Sequence, residues 1–192
     1  MINGKTVLAI VPARKDSKRV KLKNFRIFRG KPLYYWPLIL SGKSKFIDRI
    51  VFTTDSASMY SKAKQKFNIV DYIRPKNLAK SDSLASDVIL DVLKNISNKF
   101  DYFIYLQPTS PLRTIRDIDN SLKMIEVKKG NTLVSVTENS KKPNGMIYIS
   151  KTDFFLKKKS FYNKKILFFK TPLRRSIDVD NLKDLDNAKM KN

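Results

Sequence analysis

Short apolar runs alternate with longer amphipathic stretches along almost the whole chain, and this alternation narrows the fold more than any other feature. Residues 6–11, 50–54, 69–73, 102–106, 132–136 and 146–149 read as strands. Between them, residues 32–43, 56–67, 84–97, 115–128 and 181–191 read as helices. Pro32 suits a first helical turn, and Asp180 is placed to cap the last helix, where Leu182, Leu185 and Ala188 recur every third residue. Strand–helix alternation implies a mostly parallel, twisted sheet covered on both faces by helices. The predicted fold class is therefore α/β, a three-layer Rossmann-like domain, with all 192 residues in one unit and no internal repeat or linker. Such sheets bind ligands beyond the carboxyl ends of their strands, near a topological switch point.

The chain has no Cys and no His, which excludes disulfides, thiolate nucleophiles, Cys/His zinc sites and Ser-His-Asp catalysis. Chemistry is left to carboxylates, Lys, Arg, hydroxyls, backbone amides and a hard cation, which next to phosphates means Mg²⁺, with Mn²⁺ as a substitute. Forty Lys and Arg against 17 Asp and Glu give a net charge of +23. A Lys-rich soluble surface accounts for most of this, and attraction of polyanionic small molecules is a second cause. Nucleic-acid binding is a third, weaker reading, because the excess is spread along the chain and dense only over residues 157–170. No specific nucleic-acid partner is expected. No apolar run approaches the ~20 residues of a membrane helix. Residues 1–11 read as a first buried strand rather than a signal peptide, so a cytoplasmic protein without membrane attachment is expected.

The informative segments follow the strand-like runs. A polar, cationic loop, Pro12-Ala13-Arg14-Lys15-Asp16-Ser17-Lys18-Arg19, continues to Lys23-Asn24 straight after the first run. Arg offers a planar fork to phosphate oxygens and Lys a compact charge, while Ser17 and loop amides such as that of Ala13 add donors. The glycines and Gly-Lys-Ser/Thr ending of a Walker loop are absent. Asp178-Val179-Asp180 places two carboxylates on one face of an extended segment, with Val179 turned inward, an arrangement suited to a hard cation. Taken alone, these segments also fit an ordinary basic loop and a helix cap beside a solvated acid. Gln107-Pro108-Thr109-Ser110-Pro111 fits a stiff turn, and Asn144-Gly145 a hairpin turn.

The ordered set is more specific. Pro12-Ala13-Arg14, Ser17-Lys18-Arg19 and Lys23-Asn24 come first, then Thr54-Asp55, Arg74-Pro75, Leu78-Ala79 and Ser81-Asp82-Ser83. Gln107-Pro108-Thr109-Ser110-Pro111-Leu112-Arg113, Pro143-Asn144-Gly145-Met146 and Ile177-Asp178-Val179-Asp180 follow. Over nearly its whole length the chain thus resembles the acylneuraminate (sialic acid) cytidylyltransferase family. The resemblance implies a nucleotide-diphospho-sugar transferase fold and an enzyme that joins CTP to an acidic 2-keto-3-deoxy sugar of sialic, legionaminic or pseudaminic type, releasing pyrophosphate. A nucleotidyltransferase for another base or sugar phosphate, or a catalytically impaired basic binding protein, is the alternative.

By the same resemblance, Arg14, Lys18 and Asn24 hold the triphosphate, and Arg74 with Ser83 or Ser86 binds the cytosine and ribose end. Gln107 and Asn144 face the sugar, and Asp178 and Asp180 bind Mg²⁺ and assist the attacking hydroxyl. Arg14, Lys18, Asp178 and Asp180 form the catalytic set. The chain departs from the family at Asp16, close to the expected triphosphate, and at Leu182-Lys183. The largest departure is the connection from Val136 to Pro143, only six residues where relatives carry a longer segment with dimer contacts and sugar ligands. The expectation is a domain that lacks most of this insert and forms no arm-exchanged dimer. Its sugar half would be built by one chain, with Lys141, Lys142 and Arg174 or Arg175 for the acceptor's carboxylate.

Overall fold

Runs of β-branched and aromatic residues supply the strands of the central sheet. The computed structural model describes residues 1–17 and 19–191. In chain order, β1 (Val7–Pro12) is followed by a two-residue ladder of β2 (Ile27–Phe28) and β3 (Lys31–Pro32), then α1 (Tyr35–Lys43), β4 (Arg49–Thr53), α2 (Ala57–Lys64) and α3 (Ala85–Asn95). The second half comprises β5 (Tyr102–Tyr105), α4 (Ile115–Val127), β6 (Thr132–Thr137), β7 (Pro143–Lys151), α5 (Thr152–Lys158), β8 (Leu167–Thr171) and α6 (Leu182–Met190). The main sheet has the order β4-β1-β5-β7-β6-β8, and β7 alone runs against the rest.

Alternation along β1 sorts the core into two layers. Val7, Ala9 and Val11 face α1, α2 and α4 through Leu38, Met59, Ala63, Ile118 and Leu122. Leu8 and Ile10 face α3 and α5 through Ile89, Val92 and Phe155. The expected α/β three-layer architecture is what the chain adopts. A smaller cluster of Phe28, Leu33, Leu112, Val179, Leu185 and Ala188 fastens α6 beside the carboxyl end of the sheet. It thereby fixes the segment before α6, which carries Asp178 and Asp180.

Several expected elements differ. Residues 69–73 form no strand: Val70 makes a single bridge to Val51, its N–H donating to the Ile50 carbonyl at 2.8 Å, and the chain then leaves the sheet edge. Pro32 lies in the small ladder, not in a first helical turn, and α1 starts at Tyr35. The cap of α6 is Asn181, not Asp180. Its side chain accepts from the Asp184 N–H at 2.9 Å, while the Asp184 carboxylate accepts from the Asn181 and Asp180 N–H groups at 2.9 Å each. This reciprocal box leaves the Asp180 carboxylate unused by the helix. Strand β8 and helix α5 were not expected, because Phe168 and Phe169 of β8 stand among the lysines of residues 157–170 and α5 is only seven residues long.

The short connection is a hairpin. β6 and β7 pair antiparallel from Thr132↔Ser150 to Val136↔Pro143, with residues 138–142 as the loop. Asn144 and Gly145 therefore lie within β7, not in a turn. No helix among the described residues is long and apolar enough to cross a membrane.

Candidate active site

A cavity of about 340 Å³ opens at the carboxyl ends of β1 and β5, where an open sheet of this kind binds ligands. Arg14, Ser17 and Asn24 reach it from the loop after β1, Arg74 and Ser83 from the segment before α3, Gln107 from the loop after β5, and Asp178 and Asp180 from the segment before α6. Residues up to 166 positions apart in sequence thus meet in one concavity. Asp16 lines it too, so an anion does stand beside the cationic loop.

The loop after β1 is held from both sides. The Asn24 amide donates to the Arg14 carbonyl at 2.8 Å, the Lys15 N–H donates to Asp55 at 2.7 Å, and the Arg14 guanidinium reaches the Lys80 carbonyl at 3.0 Å. Asn24 therefore shapes the loop with one end of its amide. Ala13 is buried, and its N–H is taken by the Thr53 carbonyl at 3.0 Å, so this amide is not free for a phosphate. Lys18, expected on the triphosphate, lies outside the described residues.

Arg74 is buried, its guanidinium donating to the Thr53 hydroxyl and carbonyl at 3.0 Å each. Burial lowers its pKa, with the Arg14 charge adding to the effect and Tyr105 and Asp55 opposing it. A desolvated cation in a cleft wall is a strong attractor for an anionic ligand.

The two aspartates have different surroundings. Asp180 is paired on both oxygens, with Arg19 at 2.6 Å and Lys23 at 3.2 Å, and Lys23 also donates to the Val179 carbonyl at 2.9 Å. Asp178 opens into the cavity but is crowded by its walls. This partial desolvation raises its pKa above the usual carboxylate value, and the charge of Asp180 raises it further against the hydrogen bond from Thr109. Val179 between them is buried, and its N–H donates to the Thr109 carbonyl at 2.7 Å, which fixes the two-residue spacing across the cavity.

Three positions support this arrangement without having stood out in the sequence. Arg113 is buried and donates to the Gln107 carbonyl at 2.9 Å and the Met146 carbonyl at 2.7 Å, tying the Gln107 loop to β7. Burial brings its pKa down to about 9, with the charges of Asp117 and Asp178 opposing the fall. Gly145 has φ +79°, and a Cβ there would stand 3.3 Å from both the Asp178 carboxylate and the Gln107 amide oxygen. Tyr105 forms the wall between this cavity and a neighbouring one. The only sequence signal for Arg113 and Gly145 was their place in the quoted motifs.

The neighbouring cavity, about 300 Å³, shares Ala85, Tyr105 and Gln107 with the first and is closed by Tyr148, Phe161 and Tyr162. Ser86 belongs to this second cavity rather than the first. Asn144 lines neither: its amide accepts from Ser135 at 2.6 Å and donates to Thr171 at 2.7 Å and Ser176 at 3.1 Å, so it ties β7 to β6 and β8. Arg175, expected near the acceptor's carboxylate, is committed to Asp117 at 2.6 Å.

The sequence pattern of the cytidylyltransferase family matches residues 8–175. The chain belongs to the cytidylyltransferase family. It is 30% identical over 212 aligned positions to the CMP-N,N'-diacetyllegionaminic acid synthase of Legionella pneumophila, covering 91% of this chain and 90% of that one. It is 26% identical to the N-acylneuraminate cytidylyltransferase of Escherichia coli, covering 95% of this chain and 51% of that one. The fold is shared with a CMP:2-keto-3-deoxy-manno-octonic acid synthetase solved with CTP, at a TM-score of 0.74 and 14% identity, covering 96% of this chain and 97% of that one. As a member of this family, the protein is a nucleotidyltransferase.

Proposed function

We propose that this cytidylyltransferase joins CTP to an acidic 2-keto-3-deoxy sugar of the nonulosonic type, giving the CMP-sugar and pyrophosphate. The observation that carries the reading is the pair of adjoining cavities. One gathers Arg14, Arg74, Asp178 and Asp180 for a nucleotide and its phosphates; the other, reached across Tyr105 and Gln107, offers an aromatic wall and Lys159 to a carboxylated acceptor. The names of the Legionella and E. coli relatives point to the same acceptor class.

The anomeric hydroxyl of the acceptor attacks the α-phosphate of CTP in line; the new oxygen–phosphorus bond forms as the bond to the β-phosphate oxygen breaks, pyrophosphate leaves and the hydroxyl proton passes to solvent. Arg14 and Lys23 neutralise charge on the phosphates, and Lys18 is assigned there as well by its place in the motif. Gln107, on the wall between the cavities, orients the acceptor. Rate enhancement rests on positioning and on charge neutralisation.

The donor set fits a hard divalent cation. Asp178 has a raised pKa, first from desolvation and then from its partner's charge, which is the state a cation relieves. Two carboxylates complemented by phosphate oxygens are a usual Mg²⁺ environment, and among the described residues no larger cluster of acids competes for the ion. Asp178 would hold it, together with Asp180 once its pairs with Arg19 and Lys23 open, and it would supply charge neutralisation on the phosphates.

The decisive assay is pyrophosphate release with CTP, Mg²⁺ and a panel of nine-carbon and shorter keto-acid sugars. Turnover with at least one acidic sugar, lost in excess chelator, is expected. Turnover only with a neutral sugar 1-phosphate, or with another nucleotide in preference to CTP, would overturn the reading.

A further inference from the structure

A larger cavity, of about 770 Å³, opens at the end of the sheet opposite the catalytic edge. It is assembled where the chain enters and leaves the strands: Lys5 precedes β1, Lys99 precedes β5, Lys129 follows α4, Lys151 ends β7 and Lys157 lies on α5. Phe100, Tyr102 and Phe154 supply apolar wall between these amines.

Its lining is rich in ammonium groups. Five of the twelve lining residues are lysines, where 40 of 192 residues overall are Lys or Arg. Three acids, Asp101, Glu126 and Asp153, share the lining and leave it a net charge of +2, and Asp101 is the one held in an ion pair among the described residues. Asp101 accepts from the Thr6 N–H at 2.8 Å and hydroxyl at 3.0 Å and pairs with Lys5 at 3.4 Å. Glu126 accepts from the Tyr102 hydroxyl at 2.8 Å. Among the described residues, Lys99, Lys129, Lys151 and Lys157 have no carboxylate within ion-pair distance. Like charges converging on one concavity repel one another, and a concave wall focuses their field on whatever enters. Ammonium groups are compact charges suited to phosphate oxygens, and aromatic walls favour a ligand with a ring or apolar body.

We infer that this cavity is a second anion site, for a small ligand bearing two or more phosphate groups on an aromatic body, the nucleoside di- or triphosphate class. It is separate from the catalytic cavity, with which it shares no residue. The inference does not depend on the identity of the acceptor sugar.

The test is calorimetric titration of the full chain with ATP near 0.15 M salt. ATP binding is expected to persist in Arg14→Ala, which damages only the catalytic cavity. It is expected to weaken at least about tenfold when Lys129, Lys151 and Lys157 are all replaced by Ala. A control removing the same charge elsewhere, with Ala at the exposed Lys43, Lys62 and Lys183, is expected to leave it unchanged. The distal triple variant should also keep its CTP-dependent turnover. Failure of the wild type to bind ATP, loss of binding in Arg14→Ala, no effect of the distal triple variant, or an equal effect of the control would each overturn the inference.

Discussion

At Asp178 and Asp180, two like carboxylates two residues apart meet opposite conditions. Asp180 is met by Arg19 and Lys23, whereas Asp178 is crowded by protein and repelled by its neighbour. A carboxyl whose folded pKa lies above its unfolded value binds protons more tightly in the folded state. Ionisation of Asp178 therefore costs stability as pH rises from the usual carboxylate value through the raised folded one. Asp178→Asn is accordingly expected to lower turnover at least about 100-fold while the ligand-free protein melts no lower than wild type at pH 7. Calorimetry beside the pyrophosphate assay checks both halves; a destabilised variant would mean the charge is structurally satisfied. Arg14 faces the cavity from a loop pinned by Asn24 and Asp55, so its loss should leave the fold intact and cost CTP about 1.5–3 kcal/mol of binding, a ten- to hundredfold weaker Kd by titration. An unchanged Kd would remove Arg14 from the triphosphate. Arg14 and the aspartates could be read from the residues themselves, as a cationic loop after an apolar run and a pair of carboxylates two apart, whereas Arg74 and Gln107 were marked only by the ordered motifs that resemble the family. Asn144 could not be placed, since its partners Ser135, Thr171 and Ser176 stand 9, 27 and 32 residues away and nothing local marks them.

Among the elements, those with uniform apolar runs and clear turns were readable, and the mixed ones were not. β1, β4, β5 and β6 fall on runs of aliphatic, aromatic and hydroxyl side chains with little charge. Residues 69–73 are a similar run broken by Asp71, but only one residue finds a partner at the sheet edge, and edge pairing is decided by tertiary contact rather than by propensity. β8 hides in a lysine-rich stretch because an edge strand can carry charge on its open side. β7 shows how an element builds a site. It approaches Gln107 and Asp178 at Gly145, where φ is positive and a methyl group would come within 3.3 Å of both side chains. Gly145→Ala should thus disturb Gln107 and Asp178, the pair proposed for acceptor and metal, while Arg14 and Arg74 remain in place. The expected outcome is acceptor-dependent turnover reduced at least about tenfold, with CTP binding within about twofold of wild type. Loss of CTP binding and turnover together would point to global damage instead, which a melting curve would reveal.

For the whole molecule, we propose that the hairpin between β6 and β7 lets a single chain build each site. Its loop, residues 138–142, is too short to form a packed subdomain or to reach far across a second molecule. The Legionella relative aligns over 212 positions that use only 91% of this 192-residue chain, so that protein has residues for which this one has no counterpart. The aromatic wall of the second cavity comes from Phe161 and Tyr162 of the same chain that supplies Gln107 and Tyr105, and Phe161 packs on Tyr148 at a ring separation of 5.2 Å. We propose that the second cavity is completed in cis by these residues. Two defective variants should then fail to rescue each other: Arg14→Ala, impaired at the triphosphate, and the exposed pair Lys159→Glu with Tyr162→Ala, impaired at the acceptor wall. In a protein whose chains exchange arms, mixing these variants assembles some sites with neither defect, and activity rises above the average of the two. Here the mixture is expected to show only that average at every ratio and after unfolding and joint refolding, whatever oligomer light scattering reports. Activity above the average would show that a partner chain supplies the acceptor wall and that the cis reading of Phe161 and Tyr162 is wrong.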